Sequence, residues 1–196
     1  MKNTIVYDNI NCMENIKANV SFVEKVRRMH LQQMKYDPSE VADCKDMQVK
    51  SGEVFKLTRI NVQEILPDSQ VYCGYKTRYV VHKVGCDPFA QISVNFKTDS
   101  ANLEYRNLEK EMQGKGIIQT ALYEVEKDIF QNGVCNGFPT DNGQTDIETI
   151  NLDILRDNYA SIHIARSAGY RYSPTTQVAT LGKEDFFKQH SEDLVQ

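Results

Sequence analysis

Tryptophan is absent from the 196 residues, and cysteine and proline each occur only 5 times. The cysteines (Cys12, Cys44, Cys73, Cys86 and Cys135) are odd in number, scattered, and form no CxxC pair. That pattern excludes a disulfide framework and a thiolate zinc site, and it predicts reduced thiols in the cytoplasm. No apolar run approaches the roughly 18 residues of a membrane-crossing helix. The opening MKNTIVYDNINC lacks the apolar core of a secretory signal. Excess positive charge is lacking too: 23 Lys and Arg stand against 27 Asp and Glu, a net charge of −4. A broad nucleic-acid surface needs clustered cations, so nucleic acid is not an expected partner, and neither is a membrane. What is present is ordinary for a globular chain, with 40% apolar and 26% charged residues. The length suits one domain over 1–196, with a variable region at 1–75, a core at 76–181 and a charged tail at 182–196 carrying Phe186 and Phe187.

Periodicity gives the coarse elements. Thr4–Tyr7 is a short strand candidate, and Ile16, Val20, Val23, Val26 and Met29 fall at helical spacing between about 13 and 35. Asp37-Pro38-Ser39-Glu40 punctuates the chain and starts a second short helix, with Pro at its first position. Strands are expected over 53–60, 71–75, 77–84 and 89–96. In the last, Ile92, Val94 and Phe96 alternate with Gln91, Ser93 and Asn95. A turn at 97–100 leads into 102–108, completing a hairpin. Ile118, Ala121, Leu122, Val125 and Ile129 then mark a helix, and 131–145 is a loose connection with three Asn-Gly steps. Ile150, Leu152 and Ile154 mark a strand over 149–155. Asp157 or Asn158 caps a helix over 159–168 that stops at Gly169, and 170–181 supplies one or two last strands. Strands mixed with helices in this order give an α/β or α+β class.

The segment Gln113-Gly114-Lys115-Gly116-Ile117-Ile118 lies between a strand and a helix. A helix start leaves backbone N–H groups without partners, and with the helix dipole these suit a phosphate oxygen. Glycine lets the backbone approach an anion closely, and Lys115 adds charge. The loop is neither a P-loop nor GxGxxG, since no Ser or Thr follows a GxxxxGK and Gln119 holds the third glycine position. Taken alone, Gly-x-Gly before a helix is as well explained by a simple turn.

Two blocks together are more specific. Asn102-Leu103-Glu104-Tyr105-Arg106-Asn107-Leu108 followed by Gln113-Gly114-Lys115-Gly116-Ile117-Ile118 resembles motif A of the GNAT superfamily of acetyl-CoA-dependent N-acetyltransferases, Gln/Arg-x-x-Gly-x-Gly/Ala. Gln113 and Gly116 match, and Ile118 stands at the last small-residue position. The run from Asn158-Tyr159-Ala160-Ser161 to Gly169-Tyr170 resembles motif B. These forms are most similar to the branch containing the ribosomal-protein alanine acetyltransferases.

The resemblance implies a mixed, mostly antiparallel sheet flanked by helices and splayed between the strands at about 102–108 and 149–155. It implies acetyl-CoA as cosubstrate, no metal, and transfer of acetyl to a primary amine, either a protein N-terminal or side-chain amine or a small molecule, by a monomer or homodimer. Gln113, Gly114, Lys115, Gly116, Ile117 and Ile118 would surround the pyrophosphate. The pantetheine arm would pair near Leu108 and Glu109 and meet Asn158 and Ser161. A base must take a proton from an amine whose pKa lies near 10, and Glu104 on the strand is the candidate, with pairing to Arg106 as its competing role. His163 is a weaker candidate. Many family members carry a Tyr acid where this chain has Ala165. Ser161 is assigned to the catalytic group in its place, with Tyr170 and Tyr172 as alternatives acting through water, although a thiolate is a tolerable leaving group without an acid. Ala165 and Ile118 keep a second reading open, a coenzyme A-binding or scaffold module without catalysis. In the family, helix 13–35 and its loop face the acceptor, and Glu14, Glu24, Asp37 and Glu40 would favour a cationic amine there.

Overall fold

A computed structural model describes residues 24–64, 74–97, 99–107, 109–132 and 146–191. Helix α1 occupies 24–33, and one 3-10 turn follows at Pro38–Glu40. Strands β1 (Val41–Gln48), β2 (Val54–Glu64), β3 (Gly74–His82), β4 (Ala90–Phe96) and β5 (Ser100–Asn107) form an antiparallel meander. Helix α2 (Ile117–Asn132) crosses over to β6 (Thr149–Asp153), which pairs parallel to β5. Helix α3 (Tyr159–Ser167), β7 (Arg171–Ser173), β8 (Val178–Gly182) and helix α4 (Lys183–Gln189) complete the chain. The eight strands form one sheet in the order β1-β2-β3-β4-β5-β6-β8-β7, a mixed and mostly antiparallel α/β architecture.

One face of the sheet carries the main core. Leu57, Tyr79, Val81, Ile92, Val94, Leu103, Ile150 and Leu152 point to it and meet the stripe Ile118, Ala121, Leu122, Val125 and Ile129 of α2. The period-3.6 stripe meeting period-2 strands is what makes these two elements stick. Arg59 Nη1 pairs with Asp128 Oδ2 at 3.1 Å, and the Tyr79 hydroxyl donates to the same oxygen, pinning α2 across β2 and β3. On the opposite face α1 reaches β3 through Arg78, whose Nη1 donates to the Gln33 carbonyl at 2.9 Å, and Met34 just after the helix is buried.

Three expectations change. Residues 41–48 form an edge strand rather than continuing a helix: Asp37 and Glu40 close a capping box around a single turn. Only Met47 of that strand is buried, so its sequence carries no alternation and its pairing to β2 holds it. The strands expected at 71–75 and 77–84 are one strand within the described residues, Gly74–His82. The charged tail is in part a helix. Glu184 and Asp185 sit in the first turn of α4, and Phe186 is completely buried between Tyr123 and Phe130, with ring centroids 5.9 and 5.3 Å away. The strand expected at Thr4–Tyr7, the first part of the helix expected over 13–35, Leu108, and 133–145 of the loose connection lie outside the described residues.

Candidate active site

The parallel pairing of β5 to β6 runs only from Ser100–Thr149 to Leu103–Leu152. Beyond it β5 continues to Asn107 while β6 ends at Asp153, so the two strands part. The gap is a cavity of about 220 Å³ lined by Leu103, Glu104, Tyr105, Arg106, Asp153 and Ile154 from the strands, and by Asn158 and Ser161 from α3. Parted strands present backbone groups that no neighbour takes, an edge on which an extended ligand can lie.

The chain leaving β5 makes a turn at Lys110–Met112 and enters α2 through Gln113–Gly116. Gln113 N–H is used, donating to the Lys110 carbonyl at 3.1 Å. From Gly114 through Lys115, Gly116, Ile117 and Ile118 to Gln119, no N–H has a protein acceptor among the described residues. The first intrahelical acceptor is the Gly116 carbonyl, which takes both the N–H and the hydroxyl of Thr120, at 3.0 and 3.1 Å. Gly114 and Gly116 have φ of +74 and +75, a region that L side chains resist. A Cβ at Gly114 would meet nothing within 4 Å, so the space beside this residue is open. Lys115 Nζ lies 3.8 Å from Glu53 Oε1, a half-exposed pair that leaves the ammonium beside the loop. Unpartnered amides, open space and a cation together fit a phosphate group.

The other sequence candidates divide. Ile118 is buried in the core stripe, so its side chain does not narrow the loop. Glu104 and Arg106 are exposed on the face away from α2, opposite Ser93 and Gln91 of β4, and no ion pair joins them among the described residues. Asn158 caps α3, its Oδ1 accepting the Ser161 N–H at 3.2 Å, and the residue also lines the cavity. Both backbone groups of Glu109 have internal partners, its N–H on Asn107 Oδ1 at 3.3 Å and its carbonyl taking the Met112 N–H at 3.0 Å. The free strand edge therefore lies before it, on β5 past Leu103. His163 is exposed. Tyr170 is buried with its hydroxyl on Glu126 Oε1 at 2.7 Å, and the Tyr172 hydroxyl donates to the Ile154 carbonyl at 3.2 Å. Tyr105 was not among the sequence candidates, yet its hydroxyl enters the gap and donates to the Ser161 carbonyl at 3.4 Å. The missed signal was its place beside Glu104 on a strand whose alternate residues turn to the core.

No family model matches the sequence, and no curated protein does either. Solved structures do. An uncharacterized protein from Bacillus halodurans superposes with a TM-score of 0.52 at 14% identity, over 77% of this chain and 96% of that one. A cAMP-binding acyltransferase from Mycobacterium smegmatis superposes with a TM-score of 0.51 at 12% identity, over 89% of this chain and 62% of the other. The fold is GNAT-like. The acetyl-CoA complex of the Campylobacter jejuni N-acetyltransferase PseH overlaps less, with a TM-score of 0.41, 14% identity and 55% of this chain.

The three described acids of the expected acceptor wall by α1 have partners of their own. Glu24 pairs with Arg27 and Arg28, while Asp37 and Glu40 cap their own turn; Glu14 lies outside the described residues. A cavity of about 410 Å³ beside α1 is instead rimmed by Arg28, Lys35 and Lys83 together with Asp87 and Glu109. Among the described residues no helix is long and apolar enough to cross a membrane. The cap at Asn158 gives a small test. Asn158→Ala is expected to lower stability by about 1 kcal/mol, read as a lower unfolding midpoint. A loss of acetyl-CoA affinity in the same variant would show that Nδ2 also holds ligand, and an unchanged midpoint would remove the capping role.

Proposed function

We propose that the protein is an acetyl-CoA-dependent N-acetyltransferase acting on a primary amine. The observation that carries this reading is the parting of β5 from β6 directly before a loop of unpartnered amides. Acetyl-CoA supplies the thioester, whose acyl carbon an amine can attack. The protein's part is to hold and aim it. Amides of Gly114 to Gln119 and the Lys115 ammonium take the diphosphate, and the β5 edge beyond Leu103 with Asn158 takes the arm. Glu104 is the group proposed to remove the amine proton, because it lines the cavity and, among the described residues, no cation is paired to it. Ser161 stands across the gap with its hydroxyl free to orient the arm or a water. The ribosomal-protein alanine acetyltransferase-like branch is the finer reading, resting on the motif forms around Gly116 and Asn158, and a protein N-terminal amine is then an acceptor of first choice.

The test is calorimetric titration with acetyl-CoA, followed by thiol release against spermidine, kanamycin and a peptide with an N-terminal alanine. Binding with release from one of them is the expected result; absence of binding ends the reading. Glu104→Gln is expected to lower turnover at least tenfold with acetyl-CoA affinity unchanged. A variant at full speed removes Glu104 from the mechanism. The second reading, a coenzyme A-binding module without catalysis, draws on Ala165, which is fully buried in the core where a phenol is common in the family. Binding without release from any amine would favour it.

A further inference from the structure

Two exposed thiols occur among the described residues, Cys44 on β1 and Cys86 on the β3–β4 turn. Their settings differ. Cys86 has no side-chain partner among the described residues. Cys44 stands at one end of a chain of polar side chains on the sheet face opposite α2. It lies directly across from Thr58 of β2, and Lys56, two residues along on the same face, lies across from His82 of β3. Thr58 and His82 are therefore diagonal neighbours whose side chains can meet. The Thr58 hydroxyl is 3.2 Å from Cys44 Sγ and 3.0 Å from His82 Nε2. Thr58 is only 1% exposed, and His82 is half-buried. For packing alone valine would suit this buried strand position, since it has no hydroxyl to satisfy.

The direction of the chain follows from the imidazole. His82 Nδ1 is 3.0 Å from the Lys83 carbonyl oxygen, which can only accept, so Nδ1 carries the hydrogen. In the neutral ring Nε2 is then an acceptor. The Thr58 hydroxyl has one proton to give. Given to Nε2, it leaves the Thr58 oxygen to accept the Cys44 S–H. The Tyr36 hydroxyl is 3.5 Å from the same nitrogen, at the limit of a hydrogen bond, so Thr58 is its main partner. Thiol, hydroxyl and imidazole thus stand in the order nucleophile, carrier, base. The charged groups around the thiol are Asp43, whose Oδ1 accepts the Cys44 N–H at 2.8 Å, and the Lys56–Asp46 pair at 2.8 Å. Each carboxylate is thus engaged by a donor of its own.

We infer that Cys44 is a site of reversible thiol modification, with Thr58 and His82 drawing off its proton as the sulfur attacks a small disulfide. This stands apart from the acetyltransferase reading, because Cys44 belongs neither to the gap between β5 and β6 nor to the loop before α2. The Cys44 sulfur forms a bond to one sulfur of the disulfide. The disulfide's own S–S bond breaks, and its electron pair leaves on the far sulfur. The Cys44 proton moves to the Thr58 oxygen while the Thr58 proton moves to His82 Nε2. The imidazolium then gives a proton through water to the departing thiolate, and the ring is neutral again. One disulfide and one thiol become one mixed disulfide and one thiol, with no other oxidant needed. The attached group has room, since Cys44 is exposed on a strand at the edge of the sheet.

The test uses the full chain with oxidised glutathione as the disulfide, and peptide mass spectrometry to follow the adduct at each cysteine. At pH about 7 wild-type Cys44 is expected to take the adduct and a dithiol reductant to remove it. The rate at Cys44 should fall at least tenfold in Thr58→Val, which removes the hydroxyl, and in His82→Gln, which removes the base. Thr58→Ser returns a hydroxyl and should restore the rate to within about threefold. Cys86 should keep its rate in every variant and serves as the reference. At pH about 9.5, above the ordinary thiol value of about 8.5, the thiol ionises without help, and all the proteins should react alike at Cys44. A Cys44 rate unchanged by both Thr58→Val and His82→Gln overturns the relay. So does a loss that persists at pH about 9.5, because access and not proton transfer is then what changed. Absence of an adduct on wild-type Cys44 overturns the site itself. His82 is half-buried, so its variant decides the matter should Thr58→Val fail to fold.

Discussion

Gly116→Trp is expected to weaken acetyl-CoA binding at least a thousandfold while the protein still folds. Each hydrogen bond from an amide to a charged oxygen contributes roughly 1.5–3 kcal/mol, so losing three of them exceeds the ~4 kcal/mol of a thousandfold change. An indole at this position projects from the residue whose carbonyl starts α2, on the loop where the amides from Gly114 to Gln119 have no acceptor among the described residues. The first carbon of the side chain fits: a Cβ at Gly116 would meet only Gln119 Oε1, at 4.0 Å. The backbone cost is real, because φ is +75 and a side chain there is strained by about 1–2 kcal/mol. Gly85→Trp separates the two effects. Gly85 has φ of +73, open space around its Cβ and a place on the β3–β4 turn, so it carries the same strain away from the loop. Calorimetric titration of both variants should show binding lost in the first and kept in the second. Equal affinities would mean that the loop at 113–118 holds no diphosphate. Equal losses would mean that strain, not blockage, is the cause.

The parts of this fold visible in the sequence are those with two signals at once. Helix α2 has an apolar stripe and a glycine loop before it. Strand β6 has Ile150 and Leu152 on one face, with Ile154 just past its end, and all three are buried. Strand β1 has neither, since seven of its eight positions are not buried and only its pairing to β2 defines it. The tail misled for a related reason. Its Lys, Glu and Asp residues read as solvated charge, whereas two aromatic residues are enough to seat α4 because they land in a ring cluster built by Tyr123 and Phe130.

The site shows the same division. Backbone chemistry was legible, because glycines before a helical stripe constrain the chain locally, and the opening between β5 and β6 falls inside the ranges that the two motif blocks imply. Side-chain chemistry was less so. Tyr105, Tyr170 and Glu126 lie far apart in sequence, and each looks ordinary alone: a strand tyrosine, the aromatic after a helix stop, and one acid among several on α2. Their partners come from the fold, the Ser161 carbonyl for the first and each other for the last two, which no local pattern records.

The largest effect on stability is expected from Glu126→Gln, and its size should depend on pH. In the unfolded chain this carboxyl has its ordinary value of 4.5, and in the fold burial pushes it up to about 8. Between those values the folded state holds a proton that the unfolded state has released. Stability therefore falls as pH rises, by about 1.4 kcal/mol for each pH unit, and levels off above the folded value. The contribution of the neutral acid is fully present below pH about 4.5 and lost once pH passes about 8. A glutamine keeps the shape, can still accept from the Tyr170 hydroxyl, and carries no charge to bury. The variant and wild type should be similar in stability at pH about 5. By pH about 9 the variant should be the more stable by roughly 5 kcal/mol, an upper figure because a charged carboxyl beside a groove can draw in water. Urea unfolding of both proteins across that range is the measurement. Tyr170 does not confuse it, because its phenol is raised above its ordinary value of 10 and stays neutral throughout. Parallel stability curves would show that Glu126 titrates normally, and then its burial as a neutral acid would not stand.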